Sequence, residues 1–194
     1  MEETFEKIRK LASPYLCTRN NDTHTDIAVE FGFKLLEKEG GAKDIVIPAI
    51  ILHDVGWKMV PEELQSLAYG PKIKSPELNR MHEVEGTKIA KQILEKLDYD
   101  KDKREEILKI IDGHDSRKEA HSLNDRIVRD ADKLYRYSKE GLRIDSARFA
   151  ITLEEALEVA TRNLDKWLLT NSAKEIAREE IRNRLQESSS DPNQ

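Results

Sequence analysis

Four of the five histidines in this sequence continue an apolar helical stripe, a pattern that aims imidazole nitrogens inward. His24 precedes Ile27, Ala28, Phe31 and Leu35 at spacings of three or four. His53 ends the run Ile45–Leu52, His82 precedes Gly86, Ile89 and Ile93, and His114 follows Ile107, Ile110 and Ile111. Asp132 stands four residues after Val128 and three before Tyr135, so it shares their face, and Asp54 follows His53 directly. A carboxylate aimed into a core needs a cation or hydrogen bonds there. Neutral imidazoles and carboxylates together suit Fe, Mn, Ni, Co or Zn, and helical bundles place such ions between facing helices. Each residue alone has a plainer reading. A single inward histidine is usually a core imidazole bonded to backbone. His53-Asp54 could answer a helix dipole with a surface carboxylate beside it. Asp132 could pair with Arg126 or Arg129. Convergence decides for metal, because four inward histidines and two inward aspartates on separate helices are hard to bury without one.

Helices must present these side chains, and the sequence supplies little else. Residues 2–12 read as a short amphipathic helix followed by Pro14, and residues 24–39 as a second helix stopped by Gly40-Gly41. The apolar run to residue 54 fits a buried strand or a buried helix. Asp44 as N-cap with Pro48 in or near the first turn favours the helix. Gly56, Pro61, Gly70, Pro71 and Pro76 predict a long loop over 56–80 with one helical turn at 61–68, placed to act as a lid or specificity element. Helices follow at about 82–97, 103–114 and 123–138, then a connection over 139–151. Thr152-Leu153-Glu154-Glu155 and Ser172-Ala173-Lys174-Glu175 read as capping boxes of two further helices. No alternating strand pattern is present, so the expected fold is all-α.

The ordered set His24, His53-Asp54, His82, His114, Asp132 resembles the H…HD…H…H…D signature of the HD superfamily of metal-dependent phosphohydrolases. Leu52-His53-Asp54-Val55-Gly56-Trp57 is similar to that family's LHDxG core. His82-Glu83-Val84-Glu85-Gly86 is similar to its HxxxG/S helix start, and Asp130-Ala131-Asp132-Lys133-Leu134 to its closing ADxL motif. Asp130 competes with Asp132 for the last ligand position, and the ADxL register favours Asp132. The resemblance implies a single helical HD-domain bundle over 20–138, and the residues outside it read as an N-terminal helix in 1–19, two extra C-terminal helices packed on the domain in 139–187 and a disordered tail at 188–194. It implies that His24, His53, Asp54 and Asp132 bind one divalent transition metal ion. Asp54, the catalytic residue, would bridge to a second ion on His82 and His114. Two such ions about 3.5–4 Å apart acidify water and clamp a phosphoryl oxygen. Lys58, Lys72, Lys74 and Arg117 are the candidate substrate-binding cations, each with a solvated surface charge as its plain alternative. His121, just before the helix cap Ser122, is either a solvent-exposed loop residue or one that reaches substrate.

The implied substrate is a small phosphorylated molecule such as a nucleotide. The family's GYP tripeptide, diagnostic of one cyclic-dinucleotide branch, is absent, and Tyr69-Gly70-Pro71 differs in order and place. The same six ligands also serve mixed-valence di-iron oxygenases of the superfamily, and a non-catalytic helical sensor or interaction module is a further alternative. The net charge of −5 implies no broad basic surface and so no extended nucleic-acid partner. A single cysteine, Cys17, excludes an internal disulfide and a Cys-based zinc site. No stretch approaches 18 apolar residues, so no membrane partner and a cytoplasmic location are expected. Apolar residues at 153, 156, 157, 160, 164, 167 and 168 give the C-terminal helices a buried face. It packs on the domain or, as the minority reading, in a homodimer. Trp167 on that face reads as core rather than as a ligand stacker.

Overall fold

Every residue from Ile45 to Leu52 is buried, so the helix that carries them must be covered on all sides. This helix, α3 (Lys43–Leu52), packs against α1 (Glu2–Leu16), α2 (Asn21–Glu39), α6 (Lys101–Ile111) and α7 (Leu123–Leu134). The computed structural model describes residues 2–68 and 74–190, the last three by backbone alone. The remaining helices are α4 (Glu62–Gln65), α5 (Pro76–Lys96), α8 (Lys139–Phe149), α9 (Leu153–Trp167) and α10 (Asn171–Ser190). Turns of 3-10 helix occupy Val55–Met59 and Tyr135–Tyr137. No strand occurs among the described residues. One continuous apolar core runs from Phe5 and Ile8 through α3 to Leu164, Ile176 and Ala177. None of the described helices is long and apolar enough to cross a membrane.

Two prolines lie inside helices, where each removes a backbone donor and strands the carbonyl four residues earlier. Pro14 does not end α1, contrary to expectation, because the Ser13 hydroxyl donates to the freed Lys10 carbonyl at 3.0 Å. Pro48 sits beyond the first turn of α3, and the Tyr99 hydroxyl donates to the freed Asp44 carbonyl at 2.6 Å. Asp44 is not the N-cap of α3. Ala42 holds that position, and its N–H goes to Asn124 Oδ1 at 2.8 Å.

The other corrections concern helix ends. Pro76 opens α5 at its first turn, behind Ser75, so the long 56–80 loop ends five residues sooner than expected. The presumed connection 139–151 is α8, capped by Ser138 Oγ accepting from Gly141 N–H, so three helices rather than two follow residue 138. The Thr152–Glu155 capping box forms as expected. The start of α10 is capped by Thr170 Oγ1 accepting from Ala173 N–H, not by Ser172, whose N–H goes to Glu39 Oε1. The helix α10 continues to Ser190, into the stretch expected to be a disordered tail, and residues 191–194 lie outside the described residues. Trp167 is half-buried against the core, with the Arg136 guanidinium 5.5 Å from its ring centre.

Candidate metal centre

Five segments deliver the expected donors to one place: α2 brings His24, the end of α3 His53 and Asp54, α5 His82, the end of α6 His114, and α7 Asp132. His53 and His114 are held alike. Each follows the last turn of an apolar helix and turns Nδ1–H back onto a backbone carbonyl, Ile50 O at 2.7 Å and Ile111 O at 3.0 Å. That bond fixes the tautomer and leaves each Nε2 as a lone pair facing inward. His24 Nε2 lies 3.1 Å from His53 Nε2, and His82 Nε2 lies 3.4 Å from His114 Nε2.

Asp54 divides the cluster into two sets. Its Oδ2 lies 3.7 Å from both His24 Nε2 and His53 Nε2, and its Oδ1 lies 3.8 Å from His82 Nε2 and 3.7 Å from His114 Nε2. Asp132 Oδ1 completes the first set, 3.2 Å from His24 and 3.6 Å from His53. Donors about 2.1 Å from one ion lie at most about 4.2 Å apart, and each of these His–His and His–Asp separations falls below that. The donor chemistry fits a cation as well. Imidazole Nε2 atoms and carboxylate oxygens gathered this closely are the donor set that a first-row divalent ion binds. His82 Nδ1 is buried without a hydrogen-bond partner among the described residues, so nothing else prescribes the tautomer of this ring.

Charge in the cluster follows from these contacts. Burial opposes ionisation of Asp54, but the four imidazoles around it outweigh burial and hold its carboxyl well below the usual range. Asp132 is likewise held low against burial, chiefly by Lys133 and the bonds to His24 and His53. Burial and the neighbouring His114 push His82 down to about 4. In His114 burial is outweighed by Asp54 and by its sequence neighbour Asp115, which raise it to about 9.

The surrounding shell was largely missed in the sequence. Trp57 donates Nε1–H to Asp54 Oδ1 at 3.0 Å and stacks on His82 at 4.1 Å, while the Arg19 guanidinium covers its other face at 3.8 Å. Tyr135 sets its ring edge-on to His24 at 4.5 Å. Lys133 Nζ bonds both Asp132 Oδ2 and Asp115 Oδ1, each at 2.7 Å. Glu83, next to His82, is wholly inaccessible. It accepts from the N–H groups of Asp115 and Ser116, from Ser116 Oγ and from Arg80, at 2.7–2.9 Å, which pins the loop carrying His114. The one signal for Asp115 is that His114-Asp115 repeats the dipeptide His53-Asp54.

Glu83→Gln is expected to cost about 2–3 kcal/mol, because a neutral amide replaces a charged acceptor among donors already buried. The midpoint of urea unfolding should fall with unchanged slope. These bonds lower the Glu83 pKa from 4.5 in the folded chain against the opposing effect of burial. Its stabilisation is therefore full above the unfolded pKa and is lost as pH falls through the folded value. The gap between wild type and variant should narrow in acid, and an equal midpoint at pH 7 would refute the role.

The remaining expected residues do not join the cluster. Asp130, the competitor of Asp132, accepts from Leu169 N–H at 2.6 Å and Thr170 N–H at 2.8 Å and so anchors the start of α10. Arg117 does not face the donors. Its guanidinium is used by its own loop and the two flanking helices, on Lys109 O, Asp112 O, Glu119 O and Asp125 Oδ2. Lys58 is exposed, lies 3.5 Å from Cys17 Sγ, and lines a shallow cleft with Thr18 and Gln65 that contains none of the six donors. Lys74 is exposed, and Lys72 lies outside the described residues. His121 is exposed, and its N–H donates to Asp125 Oδ2.

A family model described as HD domain matches residues 21–137, a stretch that includes all six donors. No curated protein and no solved structure matches the chain. With the match spanning more than half its length and the helical donor cluster lying inside it, the chain belongs to the HD domain family.

Proposed function

We propose that the protein is a metal-dependent phosphohydrolase that cleaves a phosphoester or phosphoanhydride of a nucleotide or another small phosphorylated substrate. The observation that carries this reading is the division of Asp54 between two donor sets, one oxygen to each. His24, His53, Asp132 and Asp54 Oδ2 would hold one divalent ion. His82, His114 and Asp54 Oδ1 would hold another. Such ions, when bound, supply Lewis acidity towards a phosphoryl oxygen and acidify water. The chain supplies the rest. Trp57 fixes the Asp54 carboxylate, and the backbone bonds of His53 and His114 keep their Nε2 atoms turned inward. Lys133 and Arg136 place positive charge at the Asp132 end, where it would offset the charge of a phosphoryl group.

The test is elemental analysis of protein purified without added metal, together with a phosphoester panel, on wild type, His53→Ala and His82→Ala. About two transition-metal equivalents per chain are expected, falling in both variants along with hydrolysis. Iron with oxygen uptake and no phosphoester cleavage would replace the reading with dioxygen chemistry. A folded protein that takes up no metal even on reconstitution would overturn it.

A further inference from the structure

We propose that Asp115 is the terminal carboxylate ligand of the His82–His114 cation position, held in place by Lys133 and Glu83. The inference rests on the two-ion reading above, and it adds to that reading a ligand outside the HD signature.

The first set is closed by a carboxylate with two distinct ends. Asp132 turns Oδ1 to His24 and His53 and gives Oδ2 to Lys133 at 2.7 Å. Asp115 repeats this at the other end of the cluster. Its Oδ2 lies 4.0 Å from His82 Nε2 and 3.9 Å from His114 Nε2, and its Oδ1 accepts from the same Lys133 Nζ at 2.7 Å. One ammonium thus holds the outer oxygen of both terminal carboxylates, leaving each inner oxygen directed at a pair of imidazoles. With Asp115 counted, both positions have the same composition: two Nε2 atoms, one oxygen of Asp54 and one oxygen of a terminal aspartate.

An exposed aspartate paired with a lysine is ordinary on a surface and contributes little there. Two features set Asp115 apart. Its backbone N–H donates at 2.9 Å to Glu83, a wholly buried carboxylate that also takes the N–H and hydroxyl of Ser116. A loop pinned to a buried acid cannot swing its side chain freely. The second feature is composition. Without Asp115 the His82–His114 position has three donors, one of them shared, whereas first-row ions bound by imidazole and carboxylate take four or more ligands. Water could fill the remainder, but a carboxylate already aimed at the gap fills it with charge.

The experiment titrates Co2+ into the chelator-treated full-length chain, following heat and the visible d–d absorption. Wild type, Asp115→Ala, Asp115→Glu, His82→Ala and His24→Ala are compared, each with a metal-free melting curve. Asp115→Ala is expected to leave one Co2+ equivalent unchanged and weaken the other by about 10-fold or more. It should reproduce the spectrum of His82→Ala rather than that of His24→Ala, with the metal-free melt lowered by no more than a few degrees, the loss of the partly exposed ion pair to Lys133. Asp115→Glu should recover part of the lost affinity. Two equivalents at wild-type affinity and with the wild-type spectrum in Asp115→Ala would overturn the assignment while leaving the metal-dependent reading intact. Conversely, loss of one equivalent in Asp115→Ala with no phosphoester cleaved by wild type would sustain the ligand and overturn only the phosphohydrolase reading. Failure of wild type to bind Co2+ would overturn both.

Discussion

Replacing Gly56 by alanine is expected to destabilise the protein by about 3 kcal/mol, at the upper end of the usual cost of overpacking, and to dismantle the metal centre. A Cβ on Gly56 would fall well inside contact distance of the His82 carbonyl oxygen and the Gly86 nitrogen, and 2.8 Å from Gly86 Cα. All three are backbone atoms of α5 and cannot rotate away. The turn Val55–Met59 would have to lift off α5, taking Asp54 and Trp57 away from His82. A loss of that size lowers the melting temperature by about 6–12 °C in a chain of this length. Gly86 provides the control within the same contact. A Cβ there would meet Gly56 N at 3.4 Å and His53 O at 3.5 Å, both ordinary van der Waals distances, so Gly86→Ala should melt close to wild type. Thermal denaturation of the two variants side by side checks the claim, and equal melting temperatures would refute it.

Asp54→Asn is expected to abolish stabilisation by metal while sparing the metal-free fold. The amide keeps an oxygen for the Trp57 N–H, so packing is retained and the metal-free melting temperature should move by only a few degrees. The charge shared by the two donor sets is removed, however, and both positions weaken together. An ion at 100 times its dissociation constant stabilises the native state by about 2.7 kcal/mol, so wild type should melt higher in the presence of Mn2+ or Co2+ and lower after chelation. Asp54→Asn should show neither shift, and the phosphoester hydrolysis proposed above should disappear with the metal. A variant that retained the full metal-dependent shift would mean that Asp54 does not join the two sets.

Five of the six candidate donors were legible in the sequence because each lies in register with an apolar stripe, and helical periodicity turns such residues inward; Asp54, the immediate neighbour of His53, was legible through the HD motif. His53 at the end of a uniformly apolar run and Asp132 four residues after Val128 are the clearest cases. The choice of Asp132 over Asp130 came from motif register, and the hydrogen bonds of Asp130 to Leu169 and Thr170 supply its physical reason. The helix boundaries were less legible. Pro14 and Pro48 are helix breakers by composition, and only hydroxyls brought in by Ser13 and Tyr99 let the helices pass through them. Segment 139–149 carries few apolar residues, and its helix depends on the Ser138 cap and on burial of Leu142 and Ile144.

Glu83, Lys133 and Asp115 were beyond reach for a related reason. Each is the immediate sequence neighbour of a donor, and successive side chains on a helix diverge by about 100°, so each reads as a solvated charge. Glu83 is buried because the loop after His114 lays two backbone N–H groups and a hydroxyl on it. Lys133 reaches the cluster because its long stem lets its ammonium join Asp132 to a residue of that same loop. By itself, then, the sequence determined an all-helical chain and the inward set of imidazoles and carboxylates, since both depend on local periodicity. The family resemblance already implied how those candidate donors divide between two positions, but which neighbouring charges hold them there was decided only by the tertiary structure. Those relations exist between helices and loops far apart in the chain, and no local pattern encodes them.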